Sequence, residues 1–145
     1  MRPFRQDAKT EALSQIPLFE GLSKKELTRL ARISEDLEVP EGKVLCKEGD
    51  IGHEFFVILE GEAEVTRRDK HVATVGPGDF FGEISLLENS RRTATVTVKT
   101  QLRFFVMTGQ AFRHLLDENR EVERKVLHAL ARRVLALSEE DPAVV

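Results

Sequence analysis

Apolar and polar positions along the chain change their period twice. Between residues 24 and 34 the apolar residues recur at three- and four-residue intervals, which predicts an amphipathic helix. Ser23 and Glu26 have the spacing of a capping box, in which the serine side chain accepts from a helix amide and the glutamate reaches back. The polar residues 1–15 are only weakly periodic and predict a loose lead-in or a short helix. The stripe of the predicted helix consists of Leu27, Leu30, Ala31 and Ile33.

After a predicted turn at 40–42 the period becomes that of strands. Glycine and aspartate cluster between the apolar segments, as in tight turns. Short strands at close, regular spacing with tight turns are typical of an antiparallel roll, barrel or sandwich. The predicted strands cover 44–47, 54–60, 62–68, 71–75, 92–99 and 102–107.

From Thr108 onward the period is helical again. Thr108 is predicted to cap a short helix and Asn119 a longer one, which ends near the segment 139–142. The apolar stripe of the long helix is broad for an element near a chain end. It either covers the roll or forms in part a homodimer seam, and the charged flank at Arg132 and Arg133 favours the seam. The stripe comprises Val122, Val126, Leu130, Val134 and Leu137, widened by Leu127, Ala131 and Leu135.

Length and composition limit the function classes. The 145 residues, 41% of them hydrophobic, are predicted to form a single domain over 1–145 with one core. The net charge of −3 lacks the basic excess that nucleic-acid binding requires, so no direct nucleic-acid partner is predicted. No signal peptide and no apolar run of about 18 residues is present, which predicts a soluble cytoplasmic protein without membrane insertion.

The residue types that carry catalysis or metal binding are scattered. Cys46 is the only cysteine, which excludes an intramolecular disulfide and a cysteine-cluster metal site, and its alternating strand predicts a small core residue. The four histidines form no H-x-H or H-x-x-E pair, which argues against a metal enzyme on a similar β framework. We therefore expect a non-catalytic protein without a metal.

Arg92 is the first candidate for ligand binding. Regular alternation over 92–99 places its side chain on the apolar, core-facing side of the strand, whereas Arg91 is predicted to be solvated. A buried charge costs several kcal/mol unless it is paired, so Arg92 requires an anion. Two anions fit at this point: the carboxylate of Glu83 in an internal salt bridge, or a bound ligand.

The turn before Arg92 favours a ligand. Gly82 allows close approach of the backbone, and the helical spacing of 83–87 predicts a helical turn whose first amides have no intrahelical acceptor. Free amides facing a guanidinium favour a phosphate. A carboxylate such as Glu83 beside a phosphate is repelled unless it accepts a hydrogen bond from another part of the ligand, and a sugar hydroxyl fits that requirement.

These residues resemble the phosphate-binding cassette of the cyclic nucleotide-binding domain family. The resemblance extends over roughly 16–138 and is specific, because a Phe-Gly-Glu motif is followed by a downstream Arg-Thr-Ala-Thr-Val. It implies a mainly β fold with flanking helices: an antiparallel β-roll of the double-stranded jelly-roll type over about 36–107, an N-terminal helix, and C-terminal lid or dimer helices over about 108–138. The similar segments are 16–19, 48–50, 56–61, 78–80, and the cassette itself over 80–96.

The resemblance also implies a role for each matching residue. Arg92 is expected to bind the cyclic phosphate and Glu83 the 2′-hydroxyl, the only free ribose hydroxyl of a 3′,5′-cyclic nucleotide. Ser85 departs from the alanine most common in the family, but it is small enough to preserve the helical turn. The remaining expected contacts are the backbone of Gly82, Ile84, Ser85 and Ala94 around the phosphate, Phe81 and Thr93 in the same cassette, and Val65, Val72 and Val75 beside the base, which are equally compatible with plain core.

The identity of the base stays open between cAMP, which is favoured, and cGMP. Family members that prefer cGMP carry a threonine at the position of Thr93, where its hydroxyl can bond the guanine amino group, but channels with the same threonine also respond to cAMP. Regular alternation points Thr93 away from Arg92, so it reads the base only if the strand begins irregularly.

Two functions are therefore predicted. In the first, the protein is a signalling sensor that binds a cyclic nucleotide and relays occupancy by moving its C-terminal helices, either as a regulatory piece of a longer protein or through an unidentified effector partner. In the second, Arg92 and Glu83 pair internally and the domain serves as an interaction or dimerisation module.

Overall fold

The fold consists of two four-stranded antiparallel sheets flanked by helices at both ends of the chain. A computed structural model describes residues 5–87 and 90–140, with the backbone alone at 134 and 136–140. The strands are β1 (Glu35–Val39), β2 (Val44–Cys46), β3 (Glu54–Glu60), β4 (Ala63–Arg67), β5 (Lys70–Val75), β6 (Phe80–Phe81), β7 (Thr95–Val98) and β8 (Leu102–Thr108). One sheet has the strand order β1-β8-β3-β6 and the other the order β2-β7-β4-β5. This arrangement confirms the predicted β-roll.

All six predicted strands are present: the strand 54–60 has the predicted bounds, and the others differ from theirs by one to three residues at one or both ends. Two further strands were not predicted. The first is β1, which pairs with β8 from Glu35↔Val106 to Val39↔Leu102. The second is the two-residue β6, which pairs with β3. The largest shift concerns β7, which begins at Thr95 and not at Arg92 as predicted.

The N-terminal helices close one end of the roll. The lead-in forms a short helix, α1 (Gln6–Ser14), whose Leu13 is fully buried. A 3-10 turn over Pro17–Phe19 leads to α2 (Lys24–Ile33). Ser23 and Glu26 form the predicted capping box, which satisfies two amides at the start of α2. Ile33, assigned to the buried stripe of α2 by its spacing, is instead 39% exposed.

Alternating residues of the central strands supply two separate cores, because successive side chains of a strand point to opposite faces. The inner core lies between the sheets and contains Phe56, Ile58, Val96, Val98, Phe104 and Val106. The outer core lies between the first sheet and the helices and contains Phe55, Val57, Phe105 and Met107, with Leu13, Leu30, Phe112 and Val126 from the helices. Phe55 stacks on Phe112 with ring centroids 4.1 Å apart, which fixes the C-terminal helices against the sheet.

Two C-terminal helices follow the roll. Thr108 caps α4 (Gly109–Glu118) by accepting a hydrogen bond from the Ala111 amide, as predicted. Asn119 precedes α5 (Arg120–Glu140), but its side-chain amide donates to the Leu115 carbonyl at the end of α4. No described helix is both long enough and apolar enough to cross a bilayer.

The apolar stripe of α5 divides into two faces. Val122 and Val126 are buried against the outer core and Leu130 is half-buried. Leu127, Ala131 and Leu135 are exposed, so they do not widen the buried stripe. The predicted stripe residues Val134 and Leu137 have side chains outside the described set, as do the cassette positions 88–89, the extreme N-terminus 1–4 and the predicted helix stop at 141–142.

Candidate functional site

The cassette begins where β6 ends and the chain turns at Gly82 into the short helix α3 (Glu83–Leu87), as the helical spacing predicted. Gly82 has a φ of 97°, a conformation that residues with a side chain rarely adopt. A Cβ at this position would stand 2.8 Å from the Glu54 carbonyl oxygen and 2.9 Å from Arg92 Nη1. The glycine is therefore required both by its backbone conformation and by the close approach of the arginine.

Arg92 is buried, at 9% exposure, and its guanidinium is held by neutral oxygens. Nη1 donates to the Gly82 carbonyl at 3.0 Å and to Ser85 Oγ at 2.9 Å, and Nη2 donates to the Glu54 carbonyl at 2.8 Å. These contacts orient the charge without neutralising it. A desolvated cation held in this way favours an anion as its remaining partner.

The loop between β2 and β3 packs against Arg92. The Arg92 amide donates to the Asp50 carbonyl at 2.7 Å, and the Gly49 amide donates to the Arg92 carbonyl at 2.9 Å. Gly52 lies against the guanidinium, and a Cβ there would stand 2.5 Å from Arg92 Nε. Arg91 is exposed, as predicted, and donates to the Gly49 carbonyl at 3.0 Å. The two adjacent arginines therefore differ completely in environment.

Glu83 is fully buried, with 0% exposure. Its carboxylate forms an ion pair with Arg133 of α5 through Oε1, and neither carboxylate oxygen has a hydrogen-bond partner among the described residues. Of the two anions that sequence reasoning offered to Arg92, the Glu83 carboxylate is thus engaged by a different arginine. A buried carboxylate with unused acceptor capacity suits a hydroxyl donor.

Arg133 connects α5 to the cassette. Its Nη2 donates to the Phe80 carbonyl at 2.5 Å, and its guanidinium carbon lies 5.1 Å from the centre of the Phe80 ring. Burial lowers the pKa of Arg133 from its ordinary value, and the nearby Asp79 carboxylate opposes that shift. The guanidinium nevertheless stays charged at neutral pH, because arginine side chains are not deprotonated in proteins.

Cys46 lies at the edge of the same region, in the inner core. Burial raises the pKa of its thiol to about 11; the Arg92 charge opposes that shift, and Glu54 adds to it. The thiol is therefore neutral at physiological pH, in agreement with a small core residue.

The other predicted cassette residues surround Arg92 and Glu83. Phe81 and Ser85 are buried, and Phe81 stacks on Phe56 with ring centroids 4.7 Å apart. Ile84 and Ala94 are half-buried. Thr93 is exposed and lies in a bend before β7, so the irregular strand start that a base-reading role requires is present.

The three predicted base-pocket residues lie on the paired strands β4 and β5. Val75 is 8% exposed and belongs to the inner core, and Val65 packs against that core. Val72 differs from both at 41% exposure. The register passes from Val65↔Ala73 to Thr66↔His71, which leaves Val72 in a β-bulge. Simple alternation could not have placed it.

Sequence reasoning missed Gly52 and Arg133 as site residues. Gly52 lies 40 residues before Arg92 in the chain, so no local pattern shows that the two residues are in contact. Arg133 was assigned to the charged flank beside the proposed dimer seam, and no local pattern relates it to Glu83. Within residues 5–87 and 90–140 no group of three or more metal-ligating side chains comes together.

Comparison with known proteins identifies the family of the chain. A family model described as "Cyclic nucleotide-binding domain" matches residues 36–119, more than half of the chain. The chain therefore belongs to the cyclic nucleotide-binding domain family, and the resemblance carried by the cassette is confirmed.

One relative with a similar sequence is a kinase regulatory subunit. The cAMP-dependent protein kinase regulatory subunit of Schizosaccharomyces pombe is 34% identical over 105 residues, which are 72% of this chain and 26% of that protein. The chain thus spans about a quarter of that relative.

Solved structures reproduce the fold. A structure titled "cAMP bound PfPKA-R (141-441)" has a TM-score of 0.85 at 24% identity and covers 92% of this chain and 46% of that chain. The regulatory subunit of a cAMP-independent protein kinase A from Trypanosoma brucei has a TM-score of 0.78 at 30% identity, with 88% of this chain and 46% of that chain covered.

Proposed function

We propose that the protein is a non-catalytic sensor that binds a 3′,5′-cyclic nucleotide in the cassette. The observation that carries the proposal is the buried Arg92 guanidinium, whose three acceptors are all neutral oxygens, near a fully buried Glu83 carboxylate that accepts no described hydrogen bond. A cyclic nucleotide suits both residues, since it carries one anionic phosphate for Arg92 and one ribose hydroxyl that can donate to Glu83 beside its ion pair with Arg133.

The binding roles follow from the two environments. Arg92 binds the cyclic phosphate with the donor positions that its neutral acceptors leave available, and Glu83 accepts from the ribose 2′-hydroxyl. The backbone of Gly82, Ile84, Ser85 and Ala94 surrounds the phosphate, as the family resemblance implies. Val65, Val72 and Val75 contact the base, and the bulge at Val72 supports this role because it leaves an apolar side chain accessible.

The preferred base is adenine, with guanine as the second candidate. Support for adenine comes from the relatives, because the S. pombe protein is named as cAMP-dependent and one structural neighbour is titled as cAMP-bound. Support for guanine comes from Thr93, whose exposed position before β7 leaves its hydroxyl free to turn toward a base.

Occupancy is relayed through the C-terminal helices. A ligand changes their position only if it binds one arrangement better than the other. Two contacts connect α5 to the rest of the domain. Arg133 joins α5 to the cassette, and Lys125 Nζ donates to the Pro17 carbonyl at 2.7 Å near the N-terminal helices. The effector that receives the signal is an additional segment or a separate protein, in keeping with relatives much longer than this chain.

Isothermal titration calorimetry of the wild-type protein with cAMP and with cGMP, in parallel, tests the proposal. We expect binding of at least one nucleotide with one site per chain, and no binding of adenosine at the same concentration. Absence of heat from both nucleotides up to about 1 mM, a concentration equivalent to a binding free energy of about −4 kcal/mol, would exclude the sensor function.

The exposed face of α5 supports a second candidate function, homodimerisation. Leu127 and Leu135 are 55% and 63% exposed and lie with exposed Ala131 at four-residue intervals, on one side of the helix. Pairing with the same face of a second copy would bury these side chains. This candidate is compatible with ligand binding, because the cassette contacts the opposite side of α5.

A further inference from the structure

A surface cleft of about 360 Å³ lies where three segments meet: the loop before β3, the cassette helix α3 and the start of α4. Neither Glu83 nor any of the valines expected beside the base lines it. The cleft is therefore separate from the sugar and base subsites of the proposed nucleotide pocket. Its lining comes from 51–53, 85–86, 108–110 and 113.

Both ionisable side chains of the cleft are basic. Arg113 and His53 line it, whereas no aspartate or glutamate within residues 5–87 and 90–140 does. Among those residues the Arg113 side chain has one hydrogen bond, from Nη1 to the Leu86 carbonyl at 3.4 Å, and neither basic side chain forms an ion pair. In a chain of net charge −3 the cleft is therefore a local basic surface, which suits an anion.

The carboxylates nearest in sequence are directed elsewhere. Glu54 follows His53, so strand alternation places its side chain on the opposite face, where its charge adds to the raised pKa of the Cys46 thiol. Asp117 lies one turn beyond Arg113 on α4, outside the cleft. An anion in the cleft would thus meet basic groups and no like charge among the described residues that line it.

A glycine keeps the space between α3 and α4 open. A Cβ on Gly109 would stand 2.8 Å from Leu86 Cδ2 and 3.5 Å from Arg113 Nη1, so a larger residue would intrude on the cleft. The Gly109 amide donates to the His53 carbonyl at 2.8 Å, which fastens the loop to the start of α4. Gln110 also lines the cleft, and its amide has no intrahelical acceptor. A backbone donor therefore accompanies the two basic side chains.

The floor of the cleft adjoins the guanidinium of Arg92. Ser85 lines the cleft, is 4% exposed, and accepts a hydrogen bond from Arg92 Nη1 at 2.9 Å. Gly52 lines it as well, and a Cβ there would stand 2.4 Å from Ser85 Oγ and 2.5 Å from Arg92 Nε. One layer of atoms therefore separates an occupant of the cleft from the buried charge that the proposed function assigns to the cyclic phosphate.

We infer that this cleft is a second anion site, which binds an organic phosphate through Arg113 and His53. A guanidinium offers a forked pair of donors that matches a phosphate, and His53 adds a donor from the facing loop. The volume of the cleft lies within the range of small-ligand pockets, about 300–1,000 Å³, so it holds an organic ligand and not only a bare ion.

Occupancy of the cleft is predicted to weaken cyclic nucleotide binding; this coupling rests on the proposed function, whereas the anion site does not. An anion beside Ser85 and a cyclic phosphate both act on Arg92, and the two negative charges repel each other across a poorly solvated region. Coupling between two sites is reciprocal, so the nucleotide weakens anion binding by the same factor. An abundant second anion therefore lowers the affinity of the sensor for its nucleotide.

A nuclear magnetic resonance titration with inorganic pyrophosphate, at constant ionic strength and without divalent cations, tests the site. The protein is saturated with cAMP, which occupies the cassette, and the amide signals of Gly52, Gly109 and Gln110 are followed. We expect saturable shifts with a dissociation constant of about 1–10 mM. Arg113→Gln should weaken binding by about tenfold or more, through loss of a charge-assisted contact. Arg32→Gln, at an exposed position of α2, should leave it unchanged.

Calorimetric titration with cAMP, with and without saturating pyrophosphate, tests the coupling. Wild type is expected to lose about three- to tenfold in cAMP affinity, a typical coupling between two sites, and Arg113→Gln less than about twofold. Arg113→Lys, which keeps the charge but not the fork, should fall between the two. Melting temperatures verify that the variants are folded.

Each result bears on a different part of the inference. If no cleft signal shifts saturably up to about 50 mM pyrophosphate, or if Arg113→Gln shifts as wild type does, the cleft is not an anion site. If pyrophosphate weakens cAMP binding equally in wild type and Arg113→Gln, it competes in the cassette and the coupling is wrong. If wild type binds no cyclic nucleotide, the proposed function fails, while the pyrophosphate titration without nucleotide, compared between wild type and Arg113→Gln, still decides whether the cleft binds anions.

Discussion

Gly52 lies directly against the guanidinium of Arg92, at a distance that no larger residue could maintain. A Cβ built on Gly52 would be 2.5 Å from Arg92 Nε and 2.6 Å from Arg92 Cζ. The loop between β2 and β3 therefore packs directly against the buried arginine and keeps its guanidinium beside the cassette.

This relationship predicts that Gly52→Ala displaces Arg92 and weakens cyclic nucleotide binding by about tenfold or more, the effect of losing roughly one oriented charged hydrogen bond. Gly76→Ala is the matched control, because a Cβ there would meet nothing closer than 3.9 Å. Calorimetric affinities, with melting temperatures to verify folding, are the measurement. Equal affinities for the two variants would show that the loop between β2 and β3 does not position Arg92.

Cys46 makes stability depend on alkaline pH. Its pKa is raised by burial from 9.0 to about 11, so the neutral thiol stabilises the fold below about pH 9, and this contribution is lost as pH rises through 11. Between pH 8 and 10.5 we expect wild type to lose about 2 kcal/mol more stability than Cys46→Ala. Urea unfolding at the two pH values measures the difference. An identical loss in both proteins would mean that the thiol is not desolvated.

Asp36 and Arg103 form a bidentate ion pair between β1 and β8, with distances of 3.1 and 2.9 Å. The Asp36 side chain is 3% exposed, and its hydrogen bond raises the pKa of Arg103. Asp36→Asn is expected to lower the unfolding free energy by about 3 kcal/mol, because Arg103 would lose its bidentate partner, although the weaker attraction of Glu60 and Glu38 remains. Glu35→Gln, at the exposed neighbouring position, should change it by less than about 0.5 kcal/mol. Chemical denaturation of the two variants checks this, and equal stabilities would contradict it.

The exposed face of α5 predicts concentration-dependent dimerisation. Leu127→Glu should shift the protein toward monomer by placing a charge in the proposed interface, whereas Val44→Glu, at an exposed apolar position on β2 of the other sheet, should leave the equilibrium unchanged. Sedimentation equilibrium with and without cAMP measures both. A wild-type protein that stays monomeric at all accessible concentrations in both ligand states would contradict dimerisation through this face of α5.

The parts of this fold that the sequence predicted are those with strong local signals. The capping box at Ser23 fixed the start of α2, the alternation over 54–60 fixed β3, and the Phe-Gly-Glu motif fixed the cassette turn. Each signal depends on residues that are close together along the chain.

The parts that were missed depend on distant partners. Strand β1 has a polar sequence, and its buried Asp36 is accommodated only because Arg103, 67 residues away, pairs with it. Strand β6 is too short to show a period. The start of β7 shifted to Thr95 because the loop at 49–50 holds Arg92 by backbone hydrogen bonds. Arg133 contacts Glu83 across 50 residues, so only the tertiary structure reveals the ion pair.

The most direct test of the central claim is the cAMP affinity of Arg92→Ala beside that of Arg91→Ala, measured by calorimetry. Arg92 is buried and oriented by three neutral acceptors, whereas Arg91 is exposed. We predict that Arg92→Ala loses about 2–5 kcal/mol of binding free energy, as expected for one partner of a buried charged contact, and that Arg91→Ala changes it by less than about 0.5 kcal/mol. Comparable affinities for the two variants, in folded proteins, would contradict the assignment of Arg92 as the phosphate-binding residue.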